Sequence, residues 1–382
     1  MKESKKTVRI FALASFLNDM GSDMIAPLWP VFVTSVLGAN MAILGLIDGL
    51  GEALMSLSQA ISGYISDRIK KRKVFVWLGY CCGGLSRVGY AFSTVWQELI
   101  PFRILDRAGK MRAAPRDAII AEVSTHKNRG KNFGIIRMMD NLGATVGIIL
   151  SILLFQWLSY KQLFLIASIP SVVAVLLVFF FIKEKKTSET KIFKGIKLKH
   201  LTRNLKLFFG MSALFALGAF SYSFLMIYAN RFGVKPIALP LLYLLFSAVA
   251  SLVSIAFGKL ADKKGRKFVL WIAYGLWGLA CASLIISQNL IMIIIVFALY
   301  GLHKGALEPV QAAFVSELAP PEYKASVLGG LRMIVGLCAL PSSLLAGLLW
   351  DKSGLLSPLY FSLGLTVLSL ILLAFIKEKR TN

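Results

Sequence analysis

Residues 63–73 read GYISDRIKKRK and residues 257–267 read FGKLADKKGRK; Gly63 and Gly258, and Asp67 and Asp262, are each 195 residues apart. The same offset joins Glu122 to Glu317, Gly134 to Gly329, Arg137 to Arg332 and Met138 to Met333. One spacing held across several segments marks an internal repeat. Two copies of one plan are therefore expected: a first bundle over 1–183, a second over 207–382, and between them a polar linker at 184–206 with a short amphipathic helix at 192–206.

The repeated unit is apolar. The 382 residues are 57% hydrophobic and 16% charged, with a mean hydropathy of +0.71, a balance that excludes a soluble domain and predicts an all-α polytopic membrane protein. Stretches of about 20 apolar residues, each long enough to cross a bilayer, fall at roughly 8–37, 42–65, 74–93, 96–122, 133–156, 163–183, 207–231, 239–260, 268–287, 290–317, 326–350 and 357–376. They are referred to below as spans 1–12. The first carries Asn18, Asp19 and Asp23 with no small-residue cleavage site after it, so it reads as a span and not as a signal peptide.

Basic residues gather on one side of these spans, in MKESKK, DRIKKRK, HKNRGK, the linker, DKKGRK and KEKR; the other side offers STVWQE, QWLSYKQ, NRFGVKP, ISQN and WDKSG. Positive loops stay inside, so both termini are expected in the cytoplasm and the protein in a bacterial inner membrane. The formal charge of +24 is explained by these short loops and not by a nucleic-acid face. Cys81, Cys82, Cys281 and Cys338 fall inside spans, and His126, His200 and His303 form no cluster with carboxylates. No disulfide framework, metal site or cofactor is expected.

The ten-residue pattern Gly258-Lys259-Leu260-Ala261-Asp262-Lys263-Lys264-Gly265-Arg266-Lys267, between spans 8 and 9, resembles the loop signature of the major facilitator superfamily. Its copy between spans 2 and 3 departs at Lys70, which stands where the second glycine would be. The resemblance covers essentially the whole chain. It implies two pseudo-symmetric six-helix bundles around a central cavity, worked by alternating access. Apart from the resemblance, Asp67 and Asp262 end spans 2 and 8 at the cytoplasmic face, and Arg68, Arg112, Arg116 and Arg266 are the candidate partners of a cytoplasmic latch whose ion pairs lock one state and break in the other; the alternative is that these cations are positive-inside determinants only. In span 5, Gly134, Gly143 and Gly147 resemble the superfamily's antiporter motif, although Ile148 replaces its proline. Glycines at this spacing also let helices pack closely.

One run of charge lies inside the apolar plan. Asp106–Asp117, DRAGKMRAAPRD, occupies span 4, where a charge at the bilayer centre costs about 2.5–3.5 kcal/mol. On a regular helix Arg103, Asp106, Arg107, Lys110 and Asp117 fall within about 100° of one another, with Arg112 and Arg116 on the other side nearer the cytoplasm. Such a stripe must face water or buried partners. Span 1 offers Asp19 and Asp23, span 5 Arg137 and Asp140, and span 10 His303, Lys304 and Glu308. Asp48, Glu52 and Arg87 read as a buried ion-pair set, and Pro27, Pro30 and Pro115 as candidate bends.

Nothing in the sequence supplies a phosphate-binding loop, a nucleophile–base pair or a metal constellation, so the expectation is a secondary transporter and not an enzyme. Substrate binding is expected from Arg103, Asp106, Arg107, Lys110 and Lys304, and proton coupling from Asp19 and Asp23. Cations outnumber carboxylates by one in this set, which favours a small anionic solute such as a carboxylate, a siderophore-like chelator or a phosphate ester. A multidrug/proton antiporter and a non-transporting receptor are the alternatives. The expected partners are a small-molecule substrate, protons and the lipid bilayer, with the chain acting as a monomer.

Overall fold

A computed structural model describes residues 2–69, 71–125, 128–182, 202–320 and 323–378. Among these residues the chain is helical and contains no strand. The helices are α1 (Lys2–Ile25), α2 (Met41–Ile69), α3 (Lys73–Phe92), α4 (Trp96–Ala108), α5 (Ala113–Val123), α6 (Arg129–Leu154), α7 (Tyr160–Phe181), α8 (Arg203–Gly218), α9 (Tyr222–Arg231), α10 (Leu239–Lys264), α11 (Arg266–Ile286), α12 (Leu290–Leu318), α13 (Lys324–Ser353) and α14 (Ser357–Phe375). Nine helices among the described residues are long and apolar enough to cross a membrane. The helical stretches at spans 1, 3 and 4 are not among them: charge lowers the apolarity of the first and fourth, and glycines, tyrosines and Arg87 that of the third. Most of the linker, and with it most of the amphipathic helix expected at 192–206, lies outside the described residues; α8 begins at Arg203, capped by the Thr202 side chain.

Three spans are interrupted, each for a local reason. After α1 the chain turns at 26–28 around Pro27, resumes at Trp29–Val31 with Pro30, and passes into a π-helical turn at Phe32–Val36. Span 7 breaks between α8 and α9, where Gly218 ends one helix and the Ser221 hydroxyl caps the next by accepting the Ser223 N–H at 3.2 Å, a bond that competes with continuing the helix. Span 4 is overwound. Gly109–Arg112 form a 3-10 turn between α4 and α5, at three residues per turn where an α-helix has 3.6. Over these residues the faces rotate by roughly 80° relative to a regular helix, which turns Arg116 from the opposite side toward the stripe.

The chain divides into two compact units, Met1–Gly38 with Leu54–Phe193 and Ala39–Ala53 with Lys194–Asn382. In the first, α1, α3, α5, α6 and α7 bury Phe11, Ala14, Val76, Tyr80, Ile120, Ile136, Ala174 and Val178. In the second, Phe215, Phe220, Tyr274, Trp277, Tyr300 and His303 form an aromatic core. The sequence division places residues 39–53 in the first bundle, whereas the packing groups them with the second. There the first two amides of α2, Met41 and Ala42, donate to the Asp351 carboxylate at 3.2 and 2.8 Å.

Glycines permit that packing. A Cβ at Gly45 would lie 2.0 Å from the Ser343 carbonyl oxygen, at Gly49 2.6 Å from the Leu340 Cα, and at Gly347 2.2 Å from the Met41 oxygen. In the first unit, Gly143 and Gly147 hold α6 against the α1 backbone, where a Cβ would meet Phe16 O at 2.3 Å and Met20 O at 2.2 Å. Those two glycines of the span 5 motif are thus packing glycines; Gly134 has open space around it. Gly45→Ala or Gly347→Ala should cost about 1–3 kcal/mol through overpacking, read as a lower melting temperature of the purified protein. Gly275→Ala, where nothing lies within 4 Å, should leave melting unchanged or raised.

Candidate functional site

The close α1–α6 packing sets the span 1 carboxylates among the span 4 cations. Asp19 lies 3.5 Å from the Arg112 guanidinium and accepts the Asn18 amide at 3.0 Å. Arg112 is buried, donates to Gly109 O at 3.1 Å and stacks over Tyr80 at 4.9 Å. Arg116, also buried, reaches Ser15 Oγ at 2.6 Å, Asp140 at 3.3 Å and Asp117 at 3.0 Å. Asp140 and Asp117 in turn meet Arg137 at 3.5 and 3.9 Å. Tyr80 and Ser15 hydroxyls are 3.2 Å apart and join the two parts.

Arg112 and Arg116, expected as cytoplasmic partners of Asp67, therefore face Asp19 and Asp140 instead, because the 3-10 turn rotates them inward. Earlier in span 4, Arg103 is buried over the Trp29 ring at 4.4 Å, and Asp106 and Arg107 pair at 3.4 Å. Lys110 and Asp23 are half-buried in the same unit. Lys304 lies in the other unit, 4.0 Å from Glu308 and 5.8 Å from the Tyr300 ring centroid.

Arg87 is 2% exposed, and its guanidinium donates to neutral oxygens: Ala167 O and Asn18 O at 3.0 Å each, Asn18 Oδ1 at 3.4 Å, Ser22 Oγ at 2.8 Å, and Ser171 Oγ. Asp48 accepts Ser221 Oγ at 2.8 Å and Ser223 Oγ at the start of α9. Arg87, expected in an ion-pair set with Asp48 and Glu52, is thus held by hydroxyl and carbonyl oxygens instead. Neighbouring hydroxyls can satisfy a buried charge without a counter-ion.

At the two repeated loops the geometry repeats as well. Asp67 and Glu122 share Arg72, which bonds Asp67 through Nε at 3.1 Å and Nη2 at 2.5 Å. Asp262 and Glu317 share Arg266, at 3.2 and 2.7 Å. Burial works against the charge of Arg72, but its bonds to Asp67 and Glu122 outweigh that and hold the guanidinium above its usual range. Arg68, expected beside Asp67, is exposed. The sequence reading missed Arg72 because it is one cation in a run of five; the shared offset of Glu122 and Glu317 was the available signal.

The family model of the major facilitator superfamily matches residues 11–274 and 207–382. An uncharacterised MFS-type transporter of Methanocaldococcus jannaschii is 41% identical over 391 residues, which span 98% of this chain and 96% of that one. The quinolone resistance protein NorA of Staphylococcus aureus is 22% identical over 397 residues, 99% of this chain and 98% of that one. The crystal structure of the nucleoside transporter NupG shares the fold, with a TM-score of 0.76 at 14% identity over 96% of this chain and 97% of that one. The chain belongs to the major facilitator superfamily. It is a multi-pass membrane transporter and not an enzyme.

If the span 4 stripe borders water, cysteines replacing Arg107 and Lys110 should react with a membrane-impermeant maleimide, while one replacing Ile104, which is 40% exposed on the outward face, should stay inert. Inert positions 107 and 110 beside a reactive 104 would place the stripe against protein alone.

Proposed function

We propose that the chain moves a small organic anion by proton-coupled alternating access, in a twelve-span topology with both termini cytoplasmic. The observation that carries this reading is the ionic cluster of the first unit, in which Asp19 meets Arg112 beside Arg103, Asp106, Arg107 and Lys110. A membrane interior retains such groups for ions, protons or charged solutes. The surplus of cations favours an anionic solute. Asp19, with Asp23 one turn further along α1, is suited to exchange a proton as its cationic partners are engaged or released. The M. jannaschii relative is archaeal, so the proposed location is the cell membrane of a prokaryote, the bacterial inner membrane being one case.

A second reading has one observation in its favour. NorA, similar over its whole length, is by name a quinolone resistance protein, which suits export of lipophilic compounds. Proteoliposomes with an imposed pH step, offered radiolabelled organic anions and lipophilic cations in parallel, separate the two. The anion reading expects accumulation of anions only. Asp19→Asn or Asp23→Asn should abolish pH-driven accumulation and preserve exchange at equal pH. Accumulation by both single variants would remove these residues as the coupling acids.

The two Asp–Arg–Glu triads are proposed as cytoplasmic latches, since each ties one repeated loop to the helix end carrying Glu122 or Glu317. Asp67→Asn and Asp262→Asn should slow turnover several-fold with unchanged substrate affinity. Weakened affinity at unchanged turnover would contradict the latching role.

A further inference from the structure

The C-terminal end of the described chain returns to the second triad. The Glu378 carboxylate accepts the Arg266 N–H at 2.5 Å and the Lys267 N–H at 3.4 Å, which are the first two amides of α11 and have no partner within that helix. Lys267 Nζ donates to Ala374 O and Ile376 O at 2.8 Å each. Asn204, at the start of α8, brackets Lys377 by donating to its carbonyl at 2.6 Å and accepting its N–H at 3.1 Å. Residues 376–378 are thus tied to the cytoplasmic ends of α8 and α11 at once.

The same turn explains Gly265. Its φ of +103° lies in the region that favours glycine, and a Cβ there would stand 2.8 Å from Glu378 Oε2. The signature glycine therefore leaves room for a carboxylate that comes from 113 residues further along the chain. Arg266 is held at both ends, its backbone by Glu378 and its guanidinium by Asp262 and Glu317.

We infer that Glu378 is a positioning residue for the second latch: by holding the first amides of α11 it sets where the Arg266 guanidinium can reach, and it makes the C-terminal tail part of the gating machinery. This rests on the latching role proposed for the triad, and the test separates the two claims. Ala261 is 4% exposed beside Asp262, so in an otherwise cysteine-free chain Ala261→Cys reports loosening of this end through its rate of alkylation by a membrane-impermeant maleimide. Asp262→Asn should raise that rate; if it does not, the latch reading fails.

Glu378→Ala should raise the rate by about fivefold, the equivalent of losing one helix cap. Glu378→Gln, which keeps one acceptor, should raise it less. The double variant with Asp262→Asn should exceed Asp262→Asn alone by less than the sum of the separate effects, since both act through Arg266. Hydrogen exchange at the Arg266 and Lys267 amides should speed up in Glu378→Ala. Faster exchange with unchanged alkylation would overturn the inference by making Glu378 a cap and nothing more, as would additive effects in the double variant. Unchanged exchange would overturn it by denying the contact.

Discussion

A charge taken out of water must be given partners, and in a chain this apolar that requirement organises the whole first unit. Arg112 and Arg116 find Asp19 and Asp140; Arg87 finds three backbone or side-chain carbonyl oxygens and two hydroxyls. Removing one member of such a set leaves the other buried and uncompensated, which costs far more than the pair contributes. The groups therefore hold one another in place, and the helices that bring them together cannot slide independently. Gly143 and Gly147 are part of the same constraint, since α1 can deliver Asp19 to span 4 only because its backbone lies almost in contact with α6.

The second unit meets the same problem at fewer places, Asp48 with its Ser221 and Ser223 hydroxyls being one. Its interior is aromatic, and His303 satisfies one ring nitrogen on Ala273 O at 2.7 Å while packing among Phe215, Trp277 and Tyr300. The two copies have thus diverged in chemistry. What both copies retain is the carboxylate–guanidinium–carboxylate arrangement at the repeated loop. The details differ by one residue: Arg72 stands five positions after Asp67, and Arg266 four after Asp262. The shorter second loop turns at Gly265.

Nine of the apolar spans, the family and the charged run of span 4 were legible in the sequence because each is a property of residues near one another along the chain, hydropathy over twenty residues or a ten-residue loop pattern, and the repeated loop was legible through its constant offset. Which cation meets which carboxylate was not. The expected stripe assumed 100° per residue through Asp106–Asp117, and four residues of 3-10 geometry changed the facing of everything after Gly109. Asp48 offers a second case. Its sequence neighbours give no hint of Ser221 and Ser223, which are more than 170 positions away and reach it only because span 7 is broken there.

The sequence by itself determined that this is a helical membrane transporter built twice over, since burying or exposing an apolar segment is decided segment by segment. Only the tertiary structure decided that Arg72 and not Arg68 serves Asp67, that Arg112 and Arg116 look inward, and that Glu378 returns to α11. Those choices depend on the reach of single side chains over a few ångströms, and that reach is set by the winding and contact of helices remote in sequence.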